Sequence, residues 1–226
     1  MILESIVNKS PIVKGWSGDQ KYCAVTADGT KYLLRVSSID RLERKRREYE
    51  KMSEVSQLDI PMCLPVEFGI CDEGVYSIQS WIDGVDAEDA MMAMRPEQQY
   101  SYGLDAGRIL ASIHTIPAPA NAPDWEIRFN AKIDRRIAMY ENCELKYDGD
   151  LFLAYLTRNR HLLKDRPQSY QHGDYHIGNM MIDSHGVLTI IDFDRDDFGD
   201  PWEEFNRVVW CAQTAPAFAA GMVDGY

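Results

Sequence analysis

The apolar positions of this chain change their period partway along. Between residues 21 and 36 they fall in short β-prone runs: Tyr22, Ala24 and Val25, then Tyr32-Leu33-Leu34-Arg35-Val36, with Asp28-Gly29 between them as a hairpin turn. An antiparallel pair is expected there. Ser37 or Ser38 can cap a helix over residues 41 to about 55, with Leu42, Tyr49 and Met52 facing inward and Arg44, Lys45, Arg46 and Arg47 facing water. Further strands are expected at 64–69 and 75–81, the second ended by Asp83-Gly84. Beyond Gly84 the period becomes helical. Pro96 can occupy the first turn of a helix whose stripe is Tyr102, Ala106, Ile109, Leu110 and Ile113, and which must stop before Pro117. The three prolines of 116–123 mark a loop, two more helices are expected near 127–141 and 151–163, and two short strands, 180–182 and 187–192, flank a turn at 183–186. From Trp202 a helix-like stretch is apolar over much of its circumference, with Phe205, Val208, Val209, Trp210, Phe218 and Met222.

This order predicts an α+β fold of two lobes joined near residues 80–84. Residues 1–82 would form an antiparallel sheet with one helix, and residues 83–226 a mostly helical lobe containing a small hairpin. With 226 residues, 45% of them hydrophobic, the chain can bury a substantial core. No run approaches the roughly 18 apolar residues of a membrane span, and the N-terminus lacks a basic region followed by an apolar stretch, so a cytoplasmic protein without membrane contact is expected. Five scattered cysteines, none in a Cys-x-x-Cys pair, are expected as reduced thiols. A net charge of -12 argues against a nucleic-acid partner and suits either a cationic partner or simple solubility.

The strongest chemical signal is His172-Gly173-Asp174-Tyr175-His176-Ile177-Gly178-Asn179, followed by Ile190-Ile191-Asp192-Phe193-Asp194. Phosphoryl transfer needs a carboxylate beside an acceptor hydroxyl and oxygen ligands for the magnesium that neutralises a triphosphate. Asp174 is the candidate catalytic base, and Asn179 and Asp192 are the candidate metal ligands. Asp174 and Asn179 sit at either end of one short loop, and the hairpin starting at Met180 returns the chain to bring Asp192 beside it. His172 is expected to brace the loop. Gly15-Trp16-Ser17-Gly18, between two predicted strands, can bring backbone amides near phosphate oxygens, which marks Gly15, Ser17 and Gly18 as nucleotide candidates.

The run His-Gly-Asp, four residues, Asn, then Ile-Asp-Phe-Asp resembles the catalytic and metal-binding loops of the aminoglycoside phosphotransferase and choline kinase family, relatives of the protein kinases. The resemblance implies a protein-kinase-like fold and transfer of phosphate from ATP or GTP, with Mg2+, to the hydroxyl of a small molecule. It also implies that a basic residue on the third strand touches the α and β phosphates and pairs with a helix glutamate; Arg35 and Glu48 occupy those positions, arginine standing where the pattern has lysine. The backbones of Ser80 and Ile82, in Gln79-Ser80-Trp81-Ile82-Asp83-Gly84, would then address the purine.

Between Asp192 and Glu204 seven acidic residues stand against Arg195 alone. Asp194, Asp196, Asp197 and Glu203 are therefore candidates to hold the ammonium groups of an aminoglycoside or other amino compound, or else form a solvated loop. Choline, homoserine and macrolide acceptors stay open. A metallohydrolase built on His172, Asp174, His176 and His185 lacks sufficient histidines, since His114 and His161 fall in predicted helices. A nucleotide-binding protein without efficient turnover is the other alternative. The chain is expected to be a shortened version of its family's domain, with apolar surface left around the stretch from Trp202 and available for self-association.

Overall fold

The computed structural model of the chain describes residues 1–13, 18–144 and 148–226. A short helix, α1 (Ile2–Ser5), leads into strands β1 (Ile6–Ile12), β2 (Gln20–Thr26) and β3 (Lys31–Ser37), followed by helix α2 (Leu42–Val55) and strands β4 (Pro65–Cys71) and β5 (Gly74–Ser80). The five strands form one antiparallel sheet in the order β1-β2-β3-β5-β4. Alternation gives it two distinct faces. Ala24, Leu34, Val36, Tyr76 and Ile78 turn to one side and form a small core, closed by Ile2 and Leu3 of α1. Lys21, Leu33, Arg35 and Gln79 turn to the other, where they line a cavity.

Helix α2 crosses that second face, with Tyr49 against the Phe68 ring at 5.4 Å. Its basic run is not uniformly solvated, as the sequence suggested. Lys45 has a side chain only 10% exposed, with Nζ 2.9 Å from Asp19 and 2.8 Å from Glu48. Two carboxylates offset the cost of taking its ammonium out of water.

The rest of the chain runs through β6 (Gly84–Asp86), α3 (Ala87–Met92), α4 (Pro96–Ile113), α5 (Trp125–Glu141), α6 (Asp150–Asn159), β7 (Ser169–Gln171), β8 (Met180–Asp183), β9 (Leu188–Ile190), β10 (Asp197–Gly199), α7 (Val208–Thr214) and α8 (Pro216–Gly225). The hairpin β8–β9 acquires β6 as a third strand, while β7 and β10 pair separately. Pairing across such distances has no local signature, and each of β6, β7 and β10 is three residues long, so the apolar period could not reveal them. A larger core joins α4 (Ala106, Leu110, Ile113) to the hairpin (Met180, Ile182, Ile190) and reaches Met52 and Val55 of α2. The Cys63 N–H donates to the Ile190 carbonyl and the Ile190 N–H to the Pro61 carbonyl, which ties the hairpin to the chain entering β4. Among the described residues no helix is long and apolar enough to cross a membrane.

The stretch from Trp202 corrects one expectation. It forms a 3-10 turn, Pro201–Arg207, and two helices, because Pro216 has no N–H to continue α7 and starts α8 in a new direction. Phe218 and Met222 are fully buried, and Phe205 and Val208 pack on the same core, while Val209 and Trp210 stay exposed. Helix α8 lies against α4 at backbone contact. A Cβ on Gly103 would stand 2.2 Å from the Phe218 carbonyl oxygen, and one on Gly221 would stand 2.3 Å from that of Tyr100. Gly103→Ala should therefore force the two helices apart and cost about 1–3 kcal/mol, the range for overpacking a close contact. Thermal unfolding of the variant tests this; an unchanged melting temperature would mean that the helices separate without cost.

Candidate active site

The loop between β7 and β8 carries the catalytic candidate, and its shape is imposed by groups that take no part in chemistry. Gly173 has φ +79°, and a Cβ there would sit 1.9 Å from the Arg195 carbonyl oxygen, so only glycine fits. Glu204, 3% exposed, accepts the backbone N–H groups of His172 at 2.6 Å and Gly173 at 2.9 Å. His172 is fully buried between the Tyr175 and Phe193 rings. Its Nε2–H donates to the Ile191 carbonyl at 3.0 Å, which leaves Nδ1 to accept the Asp174 N–H at 3.3 Å. The histidine is thus a strut with both nitrogens spent, which also removes it from any metal-ligand set. Tyr175 anchors the loop to α4 by donating its hydroxyl to the Ala106 carbonyl at 2.7 Å.

On this frame Asp174, Asn179 and Asp192 are linked. The Asn179 side-chain amide donates to the Asp174 carbonyl at 2.9 Å, and the Asn179 carbonyl accepts the Ile191 N–H at 3.0 Å, which places Asp192 beside it. Asp192 itself has φ +68°, a left-handed conformation that costs a non-glycine residue energy and clusters at functional positions. Asn179 and Asp192 line one cavity of about 260 Å³ together with Lys21, Arg35, Ser80 and Ile82. Two oxygen-bearing side chains of this kind suit magnesium, which keeps waters and phosphate oxygens for its remaining positions. Among the described residues no group of three His, Cys, Asp or Glu side chains could hold a metal unaided.

Arg35 is 6% exposed. Its Nε donates to Asp19 at 3.0 Å, Nη1 to Asp192 at 3.0 Å and Nη2 to Asp194 at 3.1 Å. The expected Arg35–Glu48 pair is not formed: Glu48 is held by Arg44 at 2.7 Å and Lys45 at 2.8 Å, from one turn away on its own helix. The sequence reading missed Asp19. Its side chain has no exposed surface and also accepts the Ser37 hydroxyl at 2.6 Å. Burial alone would push the Asp19 carboxyl up, but the Ser37 bond and the Arg35 and Lys45 charges outweigh it and hold the group below its ordinary value. Asp192 is likewise held low against its burial, by Arg35 first and Lys21 second.

At the segment expected to address a purine, the Ser80 N–H donates to the Leu64 carbonyl and the Ser80 hydroxyl accepts the Leu64 N–H, both at 2.8 Å. The Ser80 amide is therefore spent, and its carbonyl is the group left to meet a base. Gly18 is in the left-handed region at φ +68° beside the Arg41 guanidinium, while Gly15 and Ser17 lie outside the described residues.

The acidic stretch is largely neutralised from within. Asp194 pairs with Arg35, Asp197 with Arg128 at 2.7 Å, Asp200 with Arg166 at 2.7 Å and Glu203 with Lys132. Asp196 alone of the four acceptor candidates has no ion pair among the described residues. The Asp174 carboxylate faces two cations instead, Arg207 Nε at 3.1 Å and Arg195 Nη1 at 3.4 Å, with the His176 ring Nε2 at 3.7 Å. Burial lowers the His176 pKa, with Asp174 opposing.

Burial, with Glu48 and Asp197 nearby, pushes the Asp196 carboxyl up to about 6. An aspartate raised in the folded state contributes stability below its unfolded pKa, near 3.8, and loses it as pH rises through the folded value. Asp196→Asn should thus gain stability relative to the parent as pH rises from 4 to 7, by on the order of 1 kcal/mol after solvent screening. Melting curves of both proteins at pH 4, 5, 6 and 7 test this; a gap that does not change with pH would place Asp196 in ordinary solvent.

Comparison with known proteins bears on the fold and the family. The chain has the fold of ADP-bound aminoglycoside phosphotransferase APH(2'')-Ib, with a TM-score of 0.74, 16% identity, and coverage of 100% of this chain and 79% of that one. The streptomycin-ATP-APH(2")-IIa ternary complex gives a TM-score of 0.70 at 13% identity, with 100% and 79% covered. APH(3'')-Id from Streptomyces rimosus ATCC10970 gives 0.60 at 18%, with 98% and 88% covered. No curated protein sequence matches the chain. The profile of the phosphotransferase enzyme family, APH, matches residues 10–226, and on that match the chain belongs to the phosphotransferase enzyme family.

Proposed function

We propose that the chain is a kinase that moves the γ-phosphoryl group of ATP, or of GTP, onto a hydroxyl of a small molecule, with Asp174 as the base. The observation that carries this is the link from Asp174 through Asn179 to Asp192: the Asn179 amide donates to the Asp174 backbone carbonyl, and the Asn179 carbonyl accepts the N–H of Ile191, next to Asp192. Residues 1–82 act as the nucleotide lobe and 83–226 as the acceptor lobe, with the Ser80 carbonyl and the Ile82 amide addressing the base at their junction. The Asn179 side-chain oxygen and the Asp192 carboxylate would hold Mg2+, which when bound neutralises the triphosphate charge. Asp174 takes the hydroxyl proton as the new O–P bond forms and the bond from the γ-phosphorus to the β–γ bridging oxygen breaks, the nucleoside diphosphate leaving, and its loop, locked by His172 and Glu204, keeps the carboxylate from moving with the substrate.

The finer reading of the acceptor is an aminoglycoside or another amino-bearing compound. Its support is the likeness in fold to the streptomycin-ATP-APH(2")-IIa complex and the unpaired Asp196. Asp194, Asp197 and Glu203 could assist only by releasing Arg35, Arg128 and Lys132. One observation favours the second reading, nucleotide binding without efficient turnover: Asp174 sits against Arg207 and Arg195, and both must yield part of its charge before it can accept a proton.

Coupled measurement of ATP consumption against a panel of aminoglycosides, choline, homoserine and macrolides separates the two. Acceptor-dependent turnover is the expected result, and its absence across the panel despite magnesium-nucleotide binding would select the second reading. With an active acceptor in hand, Asp174→Asn should lower kcat by about 10²-fold or more and leave nucleotide affinity nearly unchanged. Near-normal turnover in that variant would remove Asp174 from the mechanism.

A further inference from the structure

Lys21 stands directly opposite Arg35 in the antiparallel register of β2 and β3. Directly opposed residues project to the same face, and like charges in that position repel unless something between them is negative. Both side chains line the cavity that also holds Asn179, Asp192, Ser80 and Ile82. The two cations are nevertheless in different situations. Arg35 is buried and clamped by three carboxylates, from Asp19, Asp192 and Asp194, at 2.9 to 3.1 Å. Turning its guanidinium toward a phosphate would leave Asp192 and Asp194, with side chains no more than 29% exposed, without their cation, and Asp19 to Lys45 and Arg41. Lys21 is half-buried, makes no ion pair within 4 Å among the described residues, and its positive field reaches Asp192.

We propose that Lys21, on the second strand, is the residue that meets the nucleotide's phosphate oxygens, and that Arg35, on the third, is a positioning residue that holds Asp192 and Asp194 in place. An ammonium on a flexible four-carbon stem can follow a phosphate into the cavity, whereas the planar fork of a guanidinium is suited to the fixed multidentate arrangement that Arg35 makes. The division of labour also accounts for two cations being tolerated face to face: Asp192 lies within the field of both, and the polyphosphate supplies the remaining negative charge. Lys45, the other lysine of this region, is excluded from the role because Asp19 and Glu48 already hold its Nζ.

The proposal rests on the cavity being a nucleotide site, and the test keeps the two apart. Binding of Mg-ATP, Mg-ADP and adenosine to the full chain is measured by calorimetry for the parent, Lys21→Met and Lys21→Arg. The expected result is that Lys21→Met weakens Mg-ATP and Mg-ADP by about 10-fold or more, the loss of a charged hydrogen bond, leaves adenosine unchanged, and is largely rescued in Lys21→Arg. A parent protein that binds none of the three would overturn the nucleotide reading itself. A parent that binds Mg-ATP while Lys21→Met binds it equally well would overturn only the role of Lys21. So would an equal loss for adenosine, which would report damage to the sheet instead of a missing phosphate contact.

Discussion

Arg35 joins parts of the chain that are far apart in sequence: its guanidinium reaches Asp19 just before β2 and both acidic residues of the Asp192-Phe193-Asp194 run, 157 and 159 residues away. A buried charge must be compensated or it unfolds its surroundings. Here the compensation comes from opposite sides of the cleft, so the sheet cannot shift against the β8–β9 hairpin without stripping the arginine of partners. Lys45 sits between Asp19 and Glu48, and Arg35 is shared between Asp192 and Asp194.

The opposite wall of the cleft is stiffened by a different device. Gly173 lets the chain pass against the Arg195 carbonyl, Glu204 takes up two backbone amides that would otherwise be orphaned, and His172 bridges Asp174 to Ile191 with one ring. None of these groups faces the cavity. Together they over-determine a loop whose own residues have little intrinsic preference for the shape, which is how the left-handed Asp192 is held.

The charge around Asp174 also bears on what the acceptor can be. A strongly acidic chain suggests a cationic ligand, yet most carboxylates of the stretch 192–204 are internally paired, and arginines flank the Asp174 carboxylate. Net charge and local potential therefore point in different directions. The local arrangement governs recognition, because salt screens the distant charges over about 10 Å while contacts at 3 Å are hardly affected.

Local signals in the sequence determined the main strands, the long helices and the spacing of Asp174, Asn179 and Asp192, because alternation, helical period, proline positions and a short loop-hairpin unit are encoded within a few residues of one another. The tertiary structure decided the rest. Asp19 as a partner of Arg35, Glu204 beneath the loop, the transfer of Glu48 to Lys45, and the pairing of β6, β7 and β10 all join residues with no common local pattern. The acidic stretch is the clearest case: as a string it reads as a cation site, and only folding shows that Arg35, Arg128, Lys132 and Arg166 reach it first. A sequence fixes which charges exist, but which of them remain unpaired depends on the distances that folding sets.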